Sequence, residues 1–375
     1  MPPTARVLIV DDSRIFRAAL EESLAGEEGI EVVGSVFSGA KALEFIETSP
    51  PDVVTLDVEM PGLNGLETLK AIRRRDADNA ETESGEEVGV IMVSAHTKRG
   101  AEVTIQALHY GAFDFITKPN AAEKEENLTT LRQQLTSKIR LFMAERSRRA
   151  VKKSVSSEVT DRSEKASTIN RKKFLQEGTR QPLQAIVIAS STGGPKALET
   201  LLPDLIRRVD LPILIVQHMP PKFTHSLAQS LSRVSQGDVA EAYEGEPLCD
   251  KRIYLAPGGK HLFLRSEQGR LVLGLNEQPS ENGCRPSADV LFRSAAAVLG
   301  NGVLAIVLTG MGRDGTAGLG AIKRAGGYAL VQDEATSVVW GMPGSAAEAG
   351  LADEILPLCE IAAAVEALVS SVNSE

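Results

Sequence analysis

Two doubly wound α/β domains, each built on a parallel sheet, are predicted for this 375-residue chain. Short continuous apolar runs alternate with amphipathic stretches of helical period, the pattern of parallel strands covered on both faces. That rhythm occurs twice. Between the two stretches, from about Arg146 to Arg180, eleven Lys/Arg stand against four acids among few apolar residues. A segment so poor in apolar surface cannot offset its ordering entropy and reads as a linker. At ~100–200 residues per domain the length suits two or three domains. The expected divisions are 1–124, a helical extension and basic flexible linker at 125–182, and 183–375.

In the first domain Arg6–Asp12 (RVLIVDD), Asp52–Asp57 (DVVTLD), Gly89–Ser94 (GVIMVS) and Phe113–Lys118 (FDFITK) read as strands. Helical patterns lie between them, as at Leu66–Arg73 and Val103–Leu108. The stretch Asp76–Glu87 holds six acids and no base, which predicts a mobile surface insertion. After the linker, Ala185–Ala189 (AIVIA), Pro212–Val216 (PILIV) and Val303–Leu308 (VLAIVL) resume the strand pattern. Between them Arg252–Leu275 carries three short β runs (RIYLAP, HLFLR, RLVLGL) with Gly-rich turns, predicting a small antiparallel meander inserted in the α/β domain.

Composition narrows the class. Lys+Arg 41 against Asp+Glu 50 gives a net charge of −9, which disfavours a dedicated nucleic-acid binder. The basic segment interleaves no aromatic residue except Phe174, so it reads as a solvated tether. No apolar run approaches the ~18 residues of a membrane span, and MPPTARVLIVDD lacks the apolar core of a signal peptide. Cys249, Cys284 and Cys359 are far apart with no CxxC, against a disulfide scaffold or zinc knuckle, and are expected to pack as small apolar groups. These features predict a cytoplasmic protein.

In a doubly wound sheet, sites form beyond the carboxyl ends of the strands. Asp11 and Asp12 end the first strand, Asp57 the third and Ser94 the fourth, while Lys118 follows the fifth just before Pro119. A strand-end acid alone often just caps the next helix. Three converging carboxylates repel one another unless a hard cation joins them, and oxygen-only ligands suit Mg²⁺. A carboxylate beside Mg²⁺, with a lysine and a hydroxyl to hold phosphoryl oxygens, can form an acyl phosphate.

Over roughly Arg6–Lys124 the Asp11–Asp12 pair, Asp57 in DVEMPGLNG, Ser94 in VSAH and Lys118 in ITKP resemble the receiver domain of two-component response regulators. The resemblance implies the flavodoxin-like receiver fold, phosphorylation of Asp57 by a histidine kinase, and Mg²⁺ held by Asp11, Asp12, Asp57 and the Glu59 carbonyl. It further implies that Ser94 and Phe115 form a switch pair that rearranges on phosphorylation, with Lys118 on the phosphoryl group. The acidic stretch at Asp76–Glu87 departs from the compact pattern of that family.

The second domain opens with a strand running into Ser190-Ser191-Thr192-Gly193-Gly194-Pro195 and a helical stretch from Lys196. Glycines after a strand permit a tight turn and leave amides at a helix N-terminus. A dinucleotide loop would want an acid ending the next strand; Gln217 and His218 stand there instead. A lone histidine is most often structural. Yet a third apolar strand ends in Thr309-Gly310-Met311-Gly312-Arg313-Asp314-Gly315, placing a carboxylate on the same sheet edge. Hydroxyl, imidazole and carboxylate at three strand ends fit nucleophilic hydrolysis, although the chain order is not that of α/β-hydrolases and no GxSxG elbow is present.

The set SSTGGP, VQHMP, LAPGGKHL, RPSADVLFRSA, LTGMGRDG and WGMPGSA resembles the catalytic domain of the chemotaxis protein-glutamate methylesterases, the CheB family, over about Leu183–Leu368. A receiver joined by a linker to this Rossmann-like domain is that family's arrangement. The resemblance implies Ser191 as nucleophile, chosen over Ser190 by the match to STGG, His218 as general base and Asp314 as its orienting partner. Thr192 would neighbour the imidazole, and the Met311 amide would help form the oxyanion hole. The implied reaction is hydrolysis of γ-glutamyl methyl esters, and deamidation of glutamines, on methyl-accepting chemotaxis receptors. No cofactor is expected in the esterase site, nor nucleic-acid binding or membrane insertion. An unphosphorylated receiver covering the cleft is the expected control. Trp340 and Met342 are candidates for the cleft wall or for packing, and Arg285 and Ser287 for substrate contact. The alternatives are a transcriptional response regulator and a non-catalytic receptor-binding adaptor.

Overall fold

The computed structural model describes residues 4–80, 87–119, 123–155 and 182–372. The chain divides into two units, Met1–Val155 and Ser156–Glu375.

In the first unit β1 (Ala5–Val10), β2 (Ile30–Val36), β3 (Val53–Asp57), β4 (Gly89–Ser94) and β5 (Asp114–Thr117) form one sheet in the order β2-β1-β3-β4-β5. All four pairings are parallel. Strands β3 and β4 are buried along their whole length, which is why they are apolar without alternation. Five helices connect and cover them: α1 (Arg14–Leu24), α2 (Gly39–Thr48), α3 (Gly65–Ala80), α4 (Lys98–His109) and α5 (Lys124–Val155). Ser13, Ser38 and Thr97 cap α1, α2 and α4, each accepting a backbone N–H in the first turn. The order reverses between β1 and β3, the crevice where such sheets hold their sites. The half-buried edge strand β2 was not singled out by the sequence.

Two expectations need correcting here. Asp76–Ala80 is not an insertion but the last turn of α3, where half-buried Asp76 receives Arg73 Nη1 at 2.7 Å; residues 81–86 lie outside the described residues. The basic segment from Arg146 does not begin as linker either. Helix α5 continues to Val155, burying Leu131, Leu135, Ile139, Phe142 and Met143 against this unit, and Arg146 Nη2 reaches Asp52 Oδ1 at 2.6 Å. The apolar stripe on one face of α5 outweighs the local excess of positive charge. The rest of the expected linker, 156–181, lies outside the described residues.

In the second unit seven strands form a parallel sheet in the order β14-β13-β12-β6-β7-β9-β8. They are β6 (Ala185–Ser190), β7 (Ile213–Gln217), β8 (Asp238–Glu241), β9 (Arg252–Leu255), β12 (Val303–Val307), β13 (Tyr328–Gln332) and β14 (Glu354–Leu356). A separate antiparallel hairpin joins β10 (His261–Glu267) to β11 (Arg270–Asn276). The helices are α6 (Gly194–Arg208), α7 (Phe223–Ser235), α8 (Ala288–Leu299), α9 (Thr316–Arg324), α10 (Met342–Glu348) and α11 (Leu358–Val372). The expected three-run meander is thus a two-strand hairpin. RIYL belongs to the main sheet, pairing parallel with both β7 and β8, because its buried Ile253, Tyr254 and Leu255 fill an interior position. Val187, Leu214, Tyr254, Phe292, Val307 and Val331 share one core. β6 lies between β7 and β12, so the chain reverses direction across the sheet at β6.

Candidate functional site

Three adjacent strands deliver the residues of the second unit to one edge. Ser191 follows β6, His218 follows β7 in the register Ser190↔Gln217, and Asp314 lies on the turn after β12. Backbone bonds close this edge: Ser191 N donates to the Thr309 carbonyl at 3.0 Å, and His218 N to the Ser190 carbonyl at 3.1 Å. Buried Gln217 ties the turn further. Its Oε1 accepts Ser190 Oγ at 2.7 Å and its Nε2 donates to the Ser191 carbonyl at 2.9 Å.

Two glycines let the backbone come this close. A Cβ at Gly194 would lie 2.0 Å from Gln217 Oε1, and one at Gly310 2.8 Å from Ser191 Cβ. Gly310 therefore brings the Thr309–Gly312 turn, and with it the Met311 backbone, against the serine. The Met311 side chain is exposed. Thr192 is buried, its carbonyl accepting Thr309 Oγ1 at 3.0 Å.

His218 Nε2 and Asp314 Oδ2 are 2.8 Å apart. Asp314 is buried and also accepts Ser287 Oγ at 2.7 Å, Ala288 N at 2.6 Å, Asn282 Nδ2 at 3.0 Å and Asp289 N at 3.3 Å. The carboxylate thus caps the N-terminus of α8 from outside that helix, where free amides and the helix dipole favour negative charge. Burial opposes ionisation, but His218, Ser287 and Ala288 outweigh it and hold Asp314 well below the usual carboxylate range. Burial likewise pulls His218 down, yet Asp314 and Cys284 overcome it and lift the imidazole to about 9. Its Nδ1 faces Cys284 Sγ at 3.5 Å. Among the described residues no hydrogen bond joins Ser191 Oγ to the ring. Catalytic contacts of this kind often tighten only with substrate present.

Several side chains differ from expectation. Ser287 is fully buried and holds Asp314 rather than facing a substrate, and Arg285 Nη1 ties down the carbonyls of Glu277 and Gln278. Met342 is buried core, and half-buried Trp340 packs beside it and over Gly344. Cys249 and Cys359 are exposed rather than packed, and Cys284 is half-buried at the site. Asn282, Gln217 and Cys284 were not recognised as site residues. The RPSAD stretch was the available signal, since a Ser–Ala–Asp run opening a helix marks a capped N-terminus next to the site.

In the first unit Asp11, Asp12 and Asp57 bring carboxylate oxygens within 4.8 Å of one another. Lys118 Nζ lies 2.8 Å from Asp11 Oδ2 and 3.0 Å from Asp57 Oδ2. Asp57 Oδ1 accepts the Glu59 amide at 3.3 Å. Burial, then the neighbouring Asp11, raise Asp57 to about 6 against the pull of Lys118. An all-oxygen set with exposed Asp12 leaving room for water fits Mg²⁺. Ser94 and Phe115 are both buried, Ser94 Oγ donating to the Ala95 carbonyl at 3.3 Å.

A doubly wound phosphoacceptor-type domain joined to one with a strand-end Ser, His and Asp defines a response regulator with a hydrolase-type output domain. Comparison with known proteins gives the family. Residues 7–130 match the response regulator receiver domain and residues 186–365 the CheB methylesterase domain. A protein-glutamate methylesterase/protein-glutamine glutaminase of Trichodesmium erythraeum is 43% identical over 361 residues, covering 96% of this chain and 97% of that protein. One from Pyrococcus abyssi is 39% identical over 383 residues, covering 100% and 96%. The crystal structure of the Thermotoga maritima CheB methylesterase catalytic domain is 41% identical, covering 50% of this chain and 98% of that one with a TM-score of 0.49. The chain belongs to the protein-glutamate methylesterase/protein-glutamine glutaminase family.

Proposed function

We propose that this chain is a phosphorylation-regulated serine hydrolase. It demethylates γ-glutamyl methyl esters, and deamidates glutamines, on the cytoplasmic helices of methyl-accepting chemotaxis receptors. The names of its relatives carry both activities, and the receiver match supports control by a histidine kinase. The observation that carries the esterase reading is the His218–Asp314 pair at 2.8 Å on the sheet edge where Ser191 follows β6.

In this reading Ser191 Oγ attacks the ester carbonyl carbon while His218 takes its proton on Nδ1. Asp314 holds the Nε2–H and stabilises the imidazolium. The oxyanion is met by the Met311 amide, a donor worth about 10²–10³ in rate. Collapse of the tetrahedral intermediate breaks the bond to methoxide, which takes the proton from His218 and leaves as methanol. Water, deprotonated by His218, then cleaves the glutamyl–Ser191 ester, restoring the serine and a glutamate. With glutamine the leaving group is ammonia.

At the receiver Asp57 accepts the phosphoryl group, Lys118 holds it, and Ser94 and Phe115 convey the change. Asp11, Asp12, Asp57 and the Glu59 carbonyl would hold Mg²⁺, which offsets phosphoryl charge. Among the described residues no helix is long and apolar enough to cross a membrane. The deciding experiment is methanol release from methylated receptor by wild type and Ser191→Ala, with thermal unfolding as a check on fold. A folded Ser191→Ala protein is expected to lose about 10⁴-fold or more. Retained release would refute Ser191 as the nucleophile, and no release by the wild type would leave the chain an adaptor.

A further inference from the structure

The imidazole of His218 has two nitrogens, and the structure commits one of them. Nε2 lies 2.8 Å from a carboxylate oxygen that can only accept, so Nε2 carries a proton. In the neutral ring the basic lone pair is then on Nδ1. Facing Nδ1 at 3.5 Å is Cys284 Sγ, a distance at which a thiol hydrogen-bonds. The thiol is placed there by its loop: Glu281 N donates to the Cys284 carbonyl at 3.1 Å and Cys284 N to the Glu281 carbonyl at 2.9 Å. The same loop supplies Asn282, whose Nδ2 bridges Asp314 at 3.0 Å and Asp289 at 2.8 Å. One short segment therefore touches both ends of the His218–Asp314 pair.

We propose that Cys284 is a positioning residue of the esterase reaction: its Sγ accepts the Nδ1–H of protonated His218 between turnovers, and yields that nitrogen to the Ser191 hydroxyl once the ring is neutral and an ester is seated. This rests on the reading of Ser191, His218 and Asp314 given above. The sulfur holds the ring in the orientation that Asp314 requires and steadies its protonated form between turnovers. No bond to sulfur forms or breaks; the proton transferred is that of Ser191, and the thiol only turns aside.

The groups around the ring are few. Asp314, on the turn after β12, and Cys284, on the 281–284 loop, are its hydrogen-bonding neighbours among the described residues. Behind Asp314 stand Asp289 at the start of α8 and Glu281, the latter paired with Arg293 of α8 at 2.6 Å. His261 at the start of β10 accepts the Ser287 amide at 3.2 Å. Of these, Asp314 and Cys284 raise the proton affinity of His218 against burial. Taking away the thiol removes one of the two, so the base should become neutral at lower pH.

The test is methanol release from methylated receptor between pH 6 and 10, using the full chain as wild type, Cys284→Ala, Cys284→Ser and Ser191→Ala. Ser191→Ala judges the underlying reading: if it stays active, the esterase assignment fails whatever Cys284 does. With Ser191→Ala inactive, the acid limb of kcat/KM in Cys284→Ala is expected to move down by about one pH unit. The ratio of kcat/KM between pH 9 and pH 7 then narrows about fivefold. Cys284→Ser, which keeps a hydrogen-bonding group, should return the limb toward that of wild type. An acid limb that does not move in Cys284→Ala overturns the proposal. Should that variant fail to fold, imidazole ¹⁵N NMR of the wild type decides. An Nδ1 that holds a hydrogen-bonded proton below the limb and loses it above, with Nε2 protonated throughout, supports the proposal, and a ring that loses the Nε2 proton instead overturns it.

Discussion

Replacing Asp314 with Asn removes one charge and turns one acceptor into a donor, in a place built only for acceptors. Five groups donate to this carboxylate: His218 Nε2, Ser287 Oγ, Asn282 Nδ2 and the amides of Ala288 and Asp289. An Asn side chain directs its NH₂ at some of them, and each buried donor left unpaired costs about 1–3 kcal/mol. The second effect is on His218, which burial pulls down while Asp314 and Cys284 lift it from 6.5 to about 9. A histidine raised in this way contributes stability that is fully present below pH 6.5 and is lost as pH rises through 9. At ~1.4 kcal/mol per pH unit the whole span is worth about 3 kcal/mol. Asp314 itself, held low, stays ionised throughout that window and adds no slope there. Wild type should therefore lose up to about 3 kcal/mol between pH 6 and 10 from this ring, and Asp314→Asn most of that slope. Trp340 is the one tryptophan of the chain and lies in the second unit, so urea unfolding followed by its fluorescence reads that unit alone. Methanol release should fall about 10⁴-fold, as when a triad carboxylate loses its charge. Equal pH slopes in wild type and Asp314→Asn would refute the assignment of the raised proton affinity to this pair.

Gly194→Ala puts a Cβ 2.0 Å from Gln217 Oε1 and 2.9 Å from Ser190 Cβ, so the turn must shift. About 2–3 kcal/mol of stability and nearly all methanol release should be lost, as urea midpoint and rate will show. Ser287→Ala deletes a hydrogen bond to a charged acceptor, at a cost of about 1–2 kcal/mol. It should lower kcat a few-fold with KM unchanged; a raised KM with kcat intact would return Ser287 to substrate contact. Chelation of Mg²⁺ should stop transfer of labelled phosphoryl from a small phosphodonor to Asp57 and leave basal methanol release unchanged. Loss of basal release on chelation would place a metal in the esterase site.

Much of this could be read from the chain before any coordinates. Runs such as DVVTLD, GVIMVS and AIVIA are apolar without alternation, and only strands buried on both faces read that way. Strand-end position then put Asp11, Asp57, Lys118, Ser191, His218 and Asp314 near sheet edges. What misled was local composition. RIYL resembles its hairpin neighbours in sequence, yet burial between β7 and β8 makes it a parallel strand. The positive charges around Arg146 hid the buried stripe of α5, and the acids from Asp76 hid the end of α3.

By itself the sequence determined which strands would be interior and which side chains would stand at their ends, because hydrophobic period and turn chemistry are local. The strand order was decided only in the tertiary structure, since pairing of β6 with both β7 and β12 depends on non-local burial. That order sets Ser191, His218 and Asp314 on three neighbouring strands. Tertiary packing also gave Ser287 and the amide of Ala288 to Asp314, and the thiol of Cys284 to the imidazole. Those contacts join loops 25 or more residues apart in the chain, and no local pattern encodes a hydrogen bond across such a gap.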